Sequence, residues 1–331
     1  MKYIHDLPYD AGIDSAGLMK ADGCAFRLNS RNRVNILALG DVGTTMLIGL
    51  RLLGSDVISE LGIMDIRSEN LERLEMEINQ IGYPFGQKEL PSVFITDEEK
   101  LFDCDVLIFC ASKGVPPVSD NTGIDVRMVQ LEANREIIRH YAGFAAKAEY
   151  KGMIAVVSDP VDNLAAALLD ASGLEPWQIQ GYGLGVMNMR ALYYSERLEE
   201  YRESLSLYAE EGRAFGPHGQ DLVIANSIVH YDDAASRLLT EYTVQANLRV
   251  RELGFKPYIA PALSSAAISI LLSLRGEWHY GSVYLGCRDK GAFLGIRNRF
   301  TEKGIEYEDA ALPDPLYERI LSAYRNLCRI R

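Results

Sequence analysis

The stretch from Val34 to Asp65 constrains this chain more than any other. It opens with a short aliphatic run, Val34 to Leu39, whose length and composition fit a buried strand. Ala38-Leu39-Gly40-Asp41-Val42-Gly43 then has the spacing of a G-x-G-x-x-G turn, with alanine in the first place. Val42, Met46, Leu47, Leu50 and Leu53 recur at helical spacing, and a second apolar run, Leu61 to Met64, ends in Asp65. Strand, turn, helix, strand, acid is the order of a dinucleotide-binding unit. Gly40 lets the backbone approach a pyrophosphate, Gly43 lets the helix pack close to its strand, and the first-turn amides around Val42, lacking partners inside the helix, face the phosphates. Asp65 would take the ribose hydroxyls of NAD and repel the extra phosphate of NADP; Arg67, two residues on, keeps NADP as the lesser alternative.

The rest of the chain agrees with an α/β fold. Ser68 to Ile81 places Leu71, Leu74, Ile78 and Ile81 on one helical face, and Val93 to Thr96 and Val106 to Ala111 read as strands. A loop from Ser112 to Asp125 precedes a long helix with Val126, Val129, Ala133, Ile137, Tyr141, Phe144 and Ala148 on one face; Met153 to Val157 is the next strand. Strands and helices alternate as far as Gly183, which predicts a Rossmann-type doubly wound parallel sheet over 34–183. Beyond it we expect an α+β catalytic domain over 184–331. Its parts are a long amphipathic segment from Met187 to Glu211, helices over Tyr242 to Leu253 and Ala260 to Leu274, and strands over Ser282 to Leu285 and Ala292 to Ile296. A final helix carries Leu316, Ile320, Tyr324 and Cys328 on one face. Residues 1–33 show no sustained period and read as an irregular arm, with packing on a neighbouring subunit as one use for it.

Composition excludes several classes. With 331 residues, 48% of them hydrophobic, the chain can bury a sizeable core in two domains or one large one. The net charge of −12 argues against nucleic acid or an anionic membrane as partner. No basic segment followed by an apolar run stands at the N-terminus and no span-length apolar stretch occurs, so a cytoplasmic protein is expected. The five scattered cysteines lack C-x-x-C spacing and predict reduced thiols, with no metal site.

Four further stretches resemble the lactate/malate dehydrogenase family, and in its order. They are Arg127-Met128-Val129-Gln130-Leu131-Glu132-Ala133-Asn134, Val156-Val157-Ser158-Asp159-Pro160-Val161-Asp162, Gly181-Tyr182-Gly183-Leu184-Gly185-Val186-Met187-Asn188-Met189-Arg190, and Gly216-Pro217-His218-Gly219-Gln220. The resemblance implies an NAD-dependent oxidoreductase acting between a 2-hydroxy and a 2-oxo acid. Arg190 would grip the substrate carboxylate with two parallel hydrogen bonds, His218 exchange the proton, and Arg127 close over the reacting oxygen. Ala111, Asn134 and Ser158 would line the cofactor. The family also implies a homodimer or homotetramer binding a small carboxylate substrate.

The sequence departs from the family where the chemistry is done. Met187 replaces the aspartate that orients the histidine, and Asp159 replaces an asparagine. A positioned acid or base contributes on the order of 100- to 10,000-fold, so His218 requires a new partner, for which Asp159 and Asp221 are the candidates. Alternatively Asp159 faces a cationic substrate group, which shifts the substrate toward an imino or amino acid. A third reading is a catalytically silent NAD-binding protein. The loop from Ala111 to Arg127 is longer than the family's; its specificity position falls on Asn121, a short neutral side chain, and Lys256 is a candidate for a second acidic group on the substrate.

Overall fold

The computed structural model describes residues 1–20, 22–113 and 126–331, and its description of side chains excludes Ser15 and residues 126–130. Eleven strands are present among the described residues. They are β1 (Asn32–Leu37), β2 (Ile58–Met64), β3 (Ser92–Ile95), β4 (Val106–Phe109), β5 (Met153–Val156), β6 (Ile179–Gly181), β7 (Arg213–Phe215), β8 (Val223–Ala225), β9 (His279–Cys287), β10 (Lys290–Thr301) and β11 (Gly304–Tyr307). The main helices are α1 (Asp41–Leu53), α2 (Ser68–Asn79), α3 (Val126–Lys147), α4 (Val161–Ser172), α5 (Leu184–Ser195), α6 (Asp233–Glu252), α7 (Ser269–Leu274) and α8 (Asp314–Ile330). A π-helical stretch, Pro261–Ile268, leads into α7.

Nine strands form one sheet in the order β11-β10-β9-β6-β5-β4-β1-β2-β3. From β3 to β6 every pairing is parallel, giving the doubly wound order 3-2-1-4-5-6. The chain order reverses between β1 and β4, which opens a crevice beyond the carboxyl ends of those strands. Side-chain alternation divides the core: Val34, Ile36, Val106 and Ile108 face the layer that contains α1 and α2, while Leu37, Leu107 and Phe109 face α3 and α4. Both faces are therefore covered, and these strands read as near-continuous apolar runs.

The C-terminal half extends the same sheet. β6 meets β9 antiparallel at Gly181 and Ser282, and β10 and β11 follow as antiparallel neighbours. These strands are longer than their apolar centres predict because the hairpin keeps pairing through polar positions such as Arg297 with Tyr280 and Asn298 with His279.

Other expectations change. The segment from Met187 to Glu211 is no single helix: α5 stops at Ser195, and short helices follow at Arg202–Ser206 and Tyr208–Glu211, separated from it by Tyr201 at φ 56°. α6 begins well before Tyr242, because the Asp232 carboxylate accepts the amides of Ala234 and Ala235 and so caps it there. On α3 the most deeply buried stripe is Leu131, Asn134, Ile138, Ala142 and Ala145; Ile137, Tyr141 and Phe144 lie beside it, half-buried. The N-terminal arm packs on its own chain. Ile4, Leu7 and Ile13 join the cluster of Leu316, Ile320 and Tyr324 on α8, and Lys2 bridges to Leu312.

Candidate active site

The turn between β1 and α1 is built as its glycines require. A Cβ on Gly43 would lie 2.2 Å from the Ala38 carbonyl oxygen, so only glycine permits this approach of helix to strand. A Cβ on Gly40, by contrast, would meet nothing within 4 Å. Open space above Gly40 and the unpaired amides of the first turn, where Val42 is half-buried, fit a dinucleotide pyrophosphate. Asp65 is nearly withdrawn from solvent and accepts the Leu39 amide at 2.6 Å and the Arg67 amide at 3.0 Å. Its carboxylate thus locks the glycine turn to the end of β2 while keeping acceptor capacity for ribose hydroxyls. Lys256 stands against this turn, 3.1 Å from Asp41 at the start of α1.

Across the crevice, Ser158 donates its hydroxyl to the Ala111 carbonyl at 2.8 Å, fastening the end of β5 to that of β4. Asn134 is fully buried, and its amide is committed to backbone: the oxygen accepts the Lys113 amide at 2.9 Å and the nitrogen donates to the Asp159 carbonyl at 2.9 Å. These two bonds brace the strand ends, and the amide retains a second N–H and a second oxygen lone pair. Asn121 lies outside the described residues, as does the side chain of Arg127.

Three expected residues converge from separate elements. Asp159 lies at the end of β5, Arg190 on α5, and His218 in the turn after β7. His218 Nδ1 is 2.9 Å from Asp159 Oδ1, so this aspartate supplies the partner that Met187 cannot. Asp221 faces elsewhere and accepts from Asn326 at 3.0 Å. Gly183 makes the pairing possible, since a Cβ there would lie 2.8 Å from the Cβ of His218. Burial of the imidazole opposes its protonation; the charge of Asp159 and the hydrogen bond to it outweigh that penalty, aided by Asp162 and opposed by Arg190, and the His218 pKa is raised. His218 Nε2 is withdrawn from solvent and has no hydrogen-bond partner among the described residues.

Arg190 is half-buried, and among the described residues no carboxylate lies within 4 Å of it. It donates to Asn247 Oδ1 and, at 3.5 Å, to the sulfur of Met187. Desolvation lowers its pKa, with Tyr194 and Asp159 acting the other way. A guanidinium held this way, desolvated and without its own anion, suits a substrate carboxylate. Met187 itself is buried among Leu184, Val186 and Ala191.

One functional candidate was passed over in the sequence. Asp162 is 4% exposed in the first turn of α4, and its Oδ1 has no partner among the described residues. Burial pushes its carboxyl up to about 6, against the opposing influence of Ser282 and His218. An acid set inside the apolar run Val161 to Leu169 was the available signal.

Fold and site together define a dinucleotide-binding α/β protein of the doubly wound class. Residues 32–181 match the family model of the lactate/malate dehydrogenase NAD-binding domain. Over this stretch, a little under half of its length, the chain resembles the NAD-binding domain of the lactate/malate dehydrogenases. An L-lactate dehydrogenase of Treponema denticola is 29% identical over 64% of this chain and 62% of its own length. One from Oceanobacillus iheyensis is 26% identical, with 47% of its length matched, so these alignments span less than two thirds of each relative. A malate dehydrogenase of Thermoplasma acidophilum is 23% identical over 87% of this chain and 92% of its own. Among solved structures, the minor L-lactate dehydrogenase of Enterococcus mundtii superposes with a TM-score of 0.72 at 21% identity, covering 91% of this chain and 98% of that one. The malate dehydrogenase of Picrophilus torridus gives 0.71 at 19%, over 91% and 96%.

Proposed function

We propose that this protein is an NAD-dependent oxidoreductase that interconverts a 2-oxo acid and its 2-hydroxy acid with a rebuilt His–Asp pair. The observation that carries the reading is the 2.9 Å contact of His218 with Asp159, beside a half-buried Arg190 that has no carboxylate of its own among the described residues. NAD is favoured over NADP because Asp65 places negative charge at the end of β2. When bound, the nicotinamide supplies or accepts the hydride. Arg190 holds the substrate carboxylate in its planar fork. His218, with Nδ1 tied to Asp159, exchanges the proton at Nε2, giving it up as negative charge develops on the substrate oxygen and recovering it in the reverse direction. Asp159 stabilises the imidazolium form that this cycle requires. Arg127 is proposed to polarise the reacting oxygen, in line with the resemblance.

Screening 2-oxo acids for NADH oxidation tests the reading, with and without added amines. Turnover of a simple 2-oxo acid that His218→Ala abolishes supports it. Tight NADH binding with no turnover of any substrate would leave a silent binder. A second reading rests on the side-chain exposure of Asp159, 60%, which sets a negative charge where the family has a neutral amide. Turnover that requires an amine would select the imino acid. We also propose a homodimer or homotetramer, for which exposed Met189 and Tyr193 on α5 and Leu248 on the adjacent α6 provide apolar surface; sedimentation of the full chain as a monomer would refute it. The division at Gly183 into a cofactor-binding part and a catalytic part is proposed on the same footing.

A further inference from the structure

A second concave site lies at the other end of the sheet. β6 and β9 run antiparallel through Gly181 and Ser282, and β9 continues to Cys287, so the β9–β10 turn lies beyond the amino end of β6. The dinucleotide turn follows the carboxyl end of β1, which is parallel to β6 through β4 and β5. Between the β9–β10 turn, the N-terminal arm and the end of α8 lies a cavity of about 680 Å³, within the range of small-molecule sites.

Its charge reverses that of the protein. Arg288, Lys290, Arg325 and Arg329 line it, and among the described residues none has a carboxylate within 4 Å. Of the two acids on the wall, Asp170 is taken up by Arg331, whose guanidinium pairs with both carboxylate oxygens; only Asp289 remains to offset the four cations. The wall is also built rather than incidental. The Arg331 side chain is 10% exposed and donates to the Arg288 carbonyl at 2.8 Å and to the Tyr284 hydroxyl, which fixes the β9–β10 turn against α4. Arg325 donates to the Asp10 carbonyl and draws the arm onto the opposite side. Four exposed cations around one cavity, in a chain of net charge −12, set a local positive potential that attracts anions.

We propose that this cavity binds a small metabolite bearing a diphosphate group, held by the guanidinium forks of Arg288, Arg325 and Arg329. The site is separate from the dinucleotide turn and does not depend on the proposed reaction. Isothermal titration of the full chain with inorganic pyrophosphate, at constant ionic strength, tests it. The expected result is saturable binding of one pyrophosphate per chain, unchanged by saturating NADH and by Gly43→Ala. Arg325→Ala/Arg329→Ala and, separately, Arg288→Gln should each weaken it at least tenfold while leaving circular dichroism unchanged; Arg288 lies in an exposed turn, so its variant reads out even where the double variant fails to fold. Orthophosphate should bind more weakly. Absence of saturable binding, displacement by NADH, equal affinity for orthophosphate, or an affinity indifferent to Arg288→Gln would overturn the proposal.

Discussion

The cofactor turn and the reaction centre lie on the same crevice but are made differently. Between β1 and α1 the turn is carried mainly by backbone: amides with no acceptor inside the helix and a glycine whose added Cβ would lie only 2.2 Å from the Ala38 carbonyl oxygen, with the Asp65 carboxylate holding the turn in place. Such a device tolerates little rearrangement, because the close glycine and the free amides fall within the one short stretch that begins at Ala38. The reaction centre is carried by side chains from β5, α5 and the turn after β7. In the proposed mechanism the carboxylate that Met187 cannot provide comes from Asp159, whose Oδ1 lies 2.9 Å from His218 Nδ1. Met187 packs into the apolar cluster around α5 and accepts from Arg190 at 3.5 Å.

The comparison breaks most visibly if the rebuilt pair is inert. Asp159→Asn is expected to lower kcat by about 100- to 10,000-fold, as is His218→Ala, and the two changes combined should cost little more than either alone. Steady-state rates on the best 2-oxo acid from the screen check this; additive losses would mean that the residues act independently. The turn should fail in another way. Gly43→Ala forces a methyl against the Ala38 carbonyl, with a stability loss of about 1–3 kcal/mol expected in urea unfolding, together with weakened NADH binding. An unchanged melting curve would show that the close approach of α1 to β1 is dispensable.

The same contrast explains what the sequence made legible. The turn, both flanking strands and Asp65 could be read directly, because backbone function imposes consecutive residue types and a periodicity that switches from strand to helix. Arg190 and His218 were found through short motifs. The choice between Asp159 and Asp221 was open until the fold brought residues 59 positions apart to 2.9 Å, a distance that local spacing cannot supply. Asp162 carries only a weak sequence signal for a related reason: its significance lies in burial, and an acid between Val161 and Asn163 also fits an ordinary helix start. The break after α5 was equally silent, for Tyr201 adopts a left-handed conformation in a stretch whose polar and apolar spacing continues without interruption.

A subtler effect concerns protonation. The pKa of His218 is raised in the folded chain although burial pulls it down, since Asp159 contributes both charge and a hydrogen bond. A raised pKa means that this pair contributes stability fully below the unfolded value of about 6.5, a contribution lost as pH rises through the higher folded value. Titration of the His218 ring protons by NMR should therefore give a midpoint above 6.5 in the native chain and a lower one in Asp159→Asn, where only Asp162 still opposes burial and Arg190. A midpoint unmoved by that substitution would separate the histidine from its proposed partner.

The smallest expected effect lies at the start of α1, beside the cofactor turn. Lys256 and Asp41 form an exposed pair, with side chains 81% and 51% accessible, so its contribution to stability should fall within about 0–1 kcal/mol. Its position matters more than its strength. Asp41 is the first residue of α1 and stands where a dinucleotide pyrophosphate would approach; a bare carboxylate there repels the phosphates, and Lys256 neutralises it. Charges near a helix terminus contribute about 0.3–1 kcal/mol, so Lys256→Ala should raise the NADH dissociation constant by roughly two- to fivefold. The effect should shrink as salt is added, and Asp41→Asn introduced into Lys256→Ala should restore tight binding. If the double variant binds no better than Lys256→Ala alone, Lys256 does not act through Asp41, and the turn depends on its backbone alone.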